Sequence, residues 1–117
     1  DILNEDAIAL RGATVLLLGV TYKPDIADQR ESPAVPLAKQ LQAQGANVTF
    51  HDPNVTEWHL NGQTLTPVAD LDAAVAGADL VILVQDHAAY DVDALAKASK
   101  RFFDTKGKTT TPGAHRL

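Results

Sequence analysis

Apolar positions along this chain follow two rhythms, and the alternation between them predicts the fold. Thr14–Val20 is a continuous apolar run rich in branched residues, as in a strand covered on both faces. Next, Ala34, Leu37, Ala38 and Leu41 fall at helical i, i+3, i+4, i+7 spacing, and Gly45 ends that helix. Ser32 is the expected N-cap with Pro33 at the first helical position, while Pro36 either delays the start or bends the first turn. Asn47–His51 reads as a second strand closed by an Asp52-Pro53 turn. Val55–Pro67 is the least regular stretch, carrying Trp58 and an Asn61-Gly62 pair suited to a short hairpin. Asp70 caps a helix built on Leu71, Ala74, Val75 and Ala78, with Gly77 near its end. Asp79–Val84 is another buried strand, Asp91 caps a helix through Ser99, and Arg101–Asp104 is the last strand.

Strands alternating with helices imply βαβ units. The expected fold is α/β: a Rossmann-like, open, mostly parallel sheet of about five or six strands with helices on both faces. Ile2, Leu3, Ala7 and Leu10 are loosely helical before Arg11-Gly12 breaks the pattern. Residues 1–11 are therefore expected to be the end of an interdomain helix and its linker, 12–107 the ligand-binding domain, and 108–117 a flexible tail. No internal repeat or low-complexity segment interrupts this plan.

Composition narrows the partners. A net charge of −5 argues against nucleic acid or an anionic membrane, so any anion site must be local. Cysteine is absent, which removes disulfides and thiol chemistry from this chain and fits a reducing, cytoplasmic compartment. The chain has no initiator Met, targeting segment or transmembrane-length apolar run, and reads as a piece of something larger or a processed product.

The chemistry concentrates between Gly19 and Pro33, where a strand leads into a helix through Gly-Val-Thr-Tyr-Lys-Pro-Asp-Ile-Ala-Asp-Gln-Arg-Glu-Ser-Pro. Open α/β sheets bind ligands at such crossings. This one lacks the glycines of a dinucleotide turn but holds a lysine, an arginine and a helix N-terminus, the equipment for a phosphorylated anion. Lys23 either neutralises a phosphate or is a solvated loop lysine. Arg30 grips a phosphate or pairs with Asp25, Asp28 or Glu31, and three carboxylates so near favour the pairing. Asp52 stands where a dinucleotide fold keeps its ribose-binding acid, but without Gly-x-Gly-x-x-Gly upstream a turn role is favoured. His87, in the loop Gln85–Tyr90, orients that loop or faces a ligand; taken alone it reads as structural. His51, His59, His87 and His115 show neither i, i+4 pairing nor thiolate companions, so no metal site is expected. Gly-x-Ser-x-Gly, a P-loop and a catalytic carboxylate pair are all missing. A receiver-type phosphoacceptor domain needs acids directly after its first strand, where Gly19-Val20-Thr21 stands instead.

Gly19-Val20-Thr21-Tyr22-Lys23-Pro24 with Asp28-x-Arg30-Glu31-Ser32-Pro33 resembles the opening motif of the C-terminal, UDP-binding domain of the UDP-glucose/GDP-mannose dehydrogenase family. The likeness continues through Gly45-Ala46-Asn47-Val48, His51-Asp52-Pro53, Ala78-Asp79 and Asp104-Thr105-Lys106. Family members oxidise the C6 alcohol of a nucleotide sugar to a carboxylate in two NAD-dependent steps, with a cysteine thiol capturing the aldehyde between them. The resemblance implies that NAD is bound mainly by an N-terminal domain of the same chain, that the parent is a homo-oligomer, and that this fragment alone is inactive. It implies that Tyr22 lies beside the UDP, Lys23 contacts its phosphates and Arg30 reaches NAD, with Glu31 and Ser32 buttressing Arg30. The family's Asp-x-Arg at the last strand is Asp104-Thr105-Lys106 here, leaving Lys106 to supply charge without a two-pronged donor. Asp86-His87 followed by Tyr90 resembles the UDP-N-acetylhexosamine 6-dehydrogenases more than the UDP-glucose enzymes. A UDP-glucose enzyme and a stand-alone nucleotide-binding regulatory module are the alternatives.

Overall fold

The computed structural model describes residues 10–21, 32–107 and 109, and the backbone of 115–116. The expectations placed on residues 1–9 and on Tyr22, Lys23, Arg30 and Glu31 lie outside the described residues. In chain order the elements are β1 (Thr14–Leu18), α1 (Ala34–Ala43), β2 (Asn47–His51), β3 (Trp58–Leu60), β4 (Gln63–Leu65), α2 (Leu71–Gly77), β5 (Leu80–Leu83), α3 (Val92–Ala98), β6 (Phe102–Asp104) and β7 (His115–Arg116). Five strands form one sheet in the order β2-β1-β5-β6-β7, every neighbouring pair parallel. The α/β, Rossmann-like expectation is met.

A parallel sheet with helices on both sides needs strands that are apolar at every position. Val15 to Leu18 are all fully buried, and their period of two splits them between two cores. Val15 and Leu17 face Ala34, Ala38 and Leu41 of α1, with Trp58 and Leu60 of the β3–β4 hairpin on the same side. Leu16 and Leu18 face Val75 of α2 and Leu95 and Ala96 of α3. Burying each such leucine is worth about 1.5–3 kcal/mol, so this strand fixes the sheet's centre.

Local signals explain the connections. Asn61 and Gly62 both have positive φ (51° and 76°), the type I′ turn that a two-residue hairpin requires. Asp70 and Asp91 each cap a helix, accepting from Ala73 and Ala94 N–H at 3.1 Å. The α1 helix begins at Ala34 after a helical Pro33, and Ser32 Oγ accepts the Ala34 N–H at 3.1 Å, so Ser32 does cap this end. Pro36 has no N–H for the Ser32 carbonyl, which accepts from Val35 instead at 3.2 Å. The proline is thereby absorbed in the first turn. The sheet also extends past Asp104, the end of the expected last strand, because β7 pairs with β6. Two residues are too few to leave a periodic signal.

Candidate functional site

In register, Leu18 stands opposite His51 on one side and Leu83 on the other, and Leu83 opposite Asp104. The residues that follow these four line the carboxyl edge of the sheet. The chain passes outward from β1 to β2 and then returns across β1 to β5, so strand order reverses between β1 and β5. A crevice at that reversal is where open α/β sheets hold ligands.

Gly19 makes the exit from β1 possible. Its φ is +82°, and a Cβ there would stand 2.5 Å from the Gln85 carbonyl oxygen and 2.9 Å from the Gln85 nitrogen. Only glycine lets the two strand exits approach so closely. Val20 then donates its N–H to Asp52 Oδ2 at 2.8 Å. The same oxygen pairs with His87 Nε2 at 2.8 Å, both side chains being fully shielded from solvent. Asp52 Oδ1 accepts the Asn54 N–H at 2.8 Å, which is the turn role expected of an Asp-Pro. Thr21 Oγ1 lies 3.2 Å from His87 Nε2, and Gln85 Nε2 donates to the Thr21 carbonyl at 3.5 Å. With the Gly19 N–H donating to the His51 carbonyl at 2.9 Å, three successive residues leaving β1 are held from the flanking strand exits. A buried carboxylate with several donors is compensated; with one removed it is costly.

A second pair lies beside the first. Tyr90 donates its O–H to the His51 carbonyl at 2.8 Å, and His51 Nδ1 is 3.1 Å from the same phenol oxygen, which fits an Nδ1–H donor. Burial raises the Tyr90 phenol well above its ordinary 10, and the Asp52 charge adds to this, so Tyr90 stays a donor. Burial also lowers the His51 imidazole below its ordinary 6.5, partly opposed by Asp52 and reinforced by His87.

Farther along the edge, Asp104 is fully buried and accepts two backbone N–H groups, from Lys106 at 2.8 Å and from Thr109 at 2.6 Å. Thr105 Oγ1 donates to the Leu83 carbonyl at 2.6 Å. These bonds fix the loop and leave the Lys106 side chain exposed at the carboxyl end of β6. Of the sequence-predicted binding residues, Lys106 is therefore on the same edge as Thr21. Tyr22 and Lys23 continue the chain from Thr21 but, with Arg30, lie outside the described residues. Pattern reasoning missed the Asp52–His87 pair. Its signal was partial: Asp52 directly follows β2, whereas His87 stands beyond Val84, Gln85 and Asp86 on the exit of β5, and nothing local links the two.

Chemically the network binds and positions. Nε2 of His87 faces both Asp52 and Thr21, so with Nδ1 facing the Asn54 amide its one ring proton is shared between the carboxylate and the Thr21 hydroxyl oxygen, and no lone pair is left there to take a proton from Thr21. This is the wrong wiring for a nucleophilic triad, which needs the acid and the hydroxyl on different ring nitrogens. Among the described residues no three His, Asp or Glu side chains gather in a way that could hold a metal ion.

Comparison with known proteins points the same way. The profile of the UDP-glucose/GDP-mannose dehydrogenase family, UDP binding domain, matches residues 16–111. The UDP-N-acetyl-D-mannosamine dehydrogenase of Methanococcus maripaludis is 30% identical over 100 residues, covering 79% of this chain and 22% of that protein. The UDP-glucose 6-dehydrogenase of Rhizobium meliloti is 35% identical over 98 residues, covering 78% of this chain and 22% of its own. The solved UDP-N-acetyl-mannosamine dehydrogenase from Staphylococcus aureus superposes with a TM-score of 0.67 at 30% identity, over 99% of this chain and 28% of that one. The chain spans about a fifth of the length of the relatives it matches.

Proposed function

The chain belongs to the UDP-glucose/GDP-mannose dehydrogenase family as its UDP-binding domain, and from that premise we propose that it is the substrate-nucleotide part of an NAD-dependent nucleotide-sugar 6-dehydrogenase. The whole protein, in this reading, oxidises the C6 alcohol of a UDP-sugar to a carboxylate, with NAD taking up the hydride. Tyr22 lies beside the uridine diphosphate, Lys23 contacts its phosphates, Lys106 adds a second cation and Arg30 reaches toward NAD. The dinucleotide rests mainly on an N-terminal domain of the same protein, which works as a cytoplasmic homo-oligomer. This chain alone reduces no NAD. No helix among the described residues is long and apolar enough to cross a membrane.

One observation carries the reading. Strand order reverses at β1, and Thr21, the residue before Tyr22 and Lys23, is anchored at that reversal on the same edge as exposed Lys106. The β1 exit itself suits no dinucleotide. Gln85 backbone fills the approach to Gly19, and buried Asp52 and His87 occupy the space behind it. That supports assigning NAD to another domain, with Arg30 alone contributing from here.

For the sugar, we take a UDP-N-acetylhexosamine. Several relatives are UDP-N-acetyl-D-mannosamine dehydrogenases, although UDP-glucose 6-dehydrogenases stand among them too. His87 and Tyr90 are buried, so they shape the loop, while Asp86, Ala88 and Ala89 are its accessible members. Calorimetry of this chain with UDP, UDP-glucose and UDP-N-acetylglucosamine tests the proposal. A charge-assisted bond is worth about 1.5–3 kcal/mol, so Lys23→Ala should weaken UDP binding roughly tenfold or more. No UDP heat, or unchanged affinity in Lys23→Ala, contradicts it.

A further inference from the structure

The geometry points to Asp52, His87 and Thr21 as positioning residues for UDP: a buried clamp that sets the direction in which the chain leaves β1 and so places the side chains that meet the diphosphate. The inference rests on the UDP-binding reading and adds to it residues that touch no ligand. Past Gly19, whose N–H still donates to the His51 carbonyl at 2.9 Å, the chain leaves the sheet, and its path depends on what grips it. Asp52, from the exit of β2, takes the Val20 N–H at 2.8 Å. His87, from the exit of β5, lies 3.2 Å from the Thr21 hydroxyl. The two gripping side chains are themselves joined at 2.8 Å, so the exits of β1, β2 and β5 move as one unit. Gln85 closes the fourth side through the Thr21 carbonyl.

Burial makes this clamp more than a local tie. Thr21, Asp52 and His87 are 0%, 3% and 0% exposed, so water cannot replace a lost partner cheaply. A binding group displaced by about 1 Å loses much of its effect, which is why a buried contact remote from the ligand can govern affinity. The opposite end of β1 offers a control with the same kind of bond in a half-buried setting. There Asp79 Oδ2 accepts the Thr14 N–H at 2.8 Å, the same kind of bond on the edge away from the proposed ligand.

The test compares stability with affinity in this chain, using UDP as titrant and urea unfolding in parallel. Thr21→Val removes one hydroxyl and keeps the side-chain volume. It should weaken UDP binding about three- to tenfold, and Thr21→Ser, which restores the hydroxyl, should recover it. Asp52→Ala should lose both stability and at least tenfold in affinity, whereas Asp79→Ala should lose stability and keep its UDP affinity within about twofold. If Asp52→Ala does not fold, the two Thr21 variants decide alone. Folded Thr21→Val with the affinity of the unsubstituted chain overturns the positioning role, as does a loss that Thr21→Ser fails to recover. Absence of UDP binding by the unsubstituted chain is a different failure, because it removes the nucleotide reading itself and this inference with it.

Discussion

Replacing Gly19 by alanine separates the two reasons for a glycine at the exit of β1. The first is backbone conformation: at φ +82° an alanine pays about 1–2 kcal/mol. The second is contact: the new Cβ would stand 2.5 Å from the Gln85 oxygen, 2.7 Å from its Cβ and 2.9 Å from its nitrogen. Two of these three are backbone atoms bonded into the β5 exit, so they cannot swing aside, and such overpacking costs roughly 1–3 kcal/mol. Gly12 has the same φ, +82°, and open space around its would-be Cβ, so Gly12→Ala carries the first cost without the second. Unfolded-state entropy changes alike in the two variants and cancels in their difference. The expected excess for Gly19→Ala over Gly12→Ala is therefore about 1–3 kcal/mol. At a slope near 2 kcal/mol/M that is a urea midpoint lower by roughly 0.5–1.5 M. Fluorescence of Trp58, the chain's one tryptophan and buried at 1% exposure, reports the transition directly. Equal midpoints for the two variants would refute the close approach of the β1 and β5 exits.

Other consequences are as concrete. Because burial depresses the folded-state pKa of His51 below 6.5, stability is whole above that pH and declines as pH falls through the depressed value. His51→Gln should shrink the drop in urea midpoint between about pH 7.5 and about pH 5.5, and an unchanged drop would assign the loss to other groups. In the proposed whole enzyme, Arg30→Ala should raise the Kd for NAD more than that for UDP, the reverse of Lys23→Ala; matched effects would merge the two proposed roles. Steady-state kinetics of that enzyme should favour UDP-N-acetylhexosamine over UDP-glucose by roughly ten- to a hundredfold in kcat/KM, from methyl packing and amide bonds of about 1–3 kcal/mol. Equal or better use of UDP-glucose would overturn the sugar assignment and leave the family untouched.

The fold was legible wherever burial writes a period into the chain. Thr14–Leu18 is apolar throughout because both faces are covered, and Asn61-Gly62 announces its turn because few residues adopt two positive φ values in a row. Pro36 was ambiguous because its cost depends on whether another N–H takes the Ser32 carbonyl, and Val35 does. The two-residue β7 leaves no period at all. The candidate edge was legible, since the sequence places a strand–helix crossing after β1 and Lys106 after the last expected strand, while Lys23 and Arg30 lie outside the described residues. Its buried support was not, because Asp52 and His87 lie 35 residues apart in sequence and only the strand order brings them together. Each alone has an adequate bland explanation.

The most direct test of the account is to map UDP onto this chain by amide chemical-shift perturbation. Shifts are expected along the carboxyl edge, at Val20, Thr21, Ser32, Asp86 and Lys106, with the amides of Gly12, Gly45, Asp79 and Arg101 at the opposite edge unmoved. Saturating UDP that perturbs the opposite edge, or leaves Val20, Thr21 and Lys106 unmoved, would contradict the claim that the reversal at β1 is where this domain holds its nucleotide.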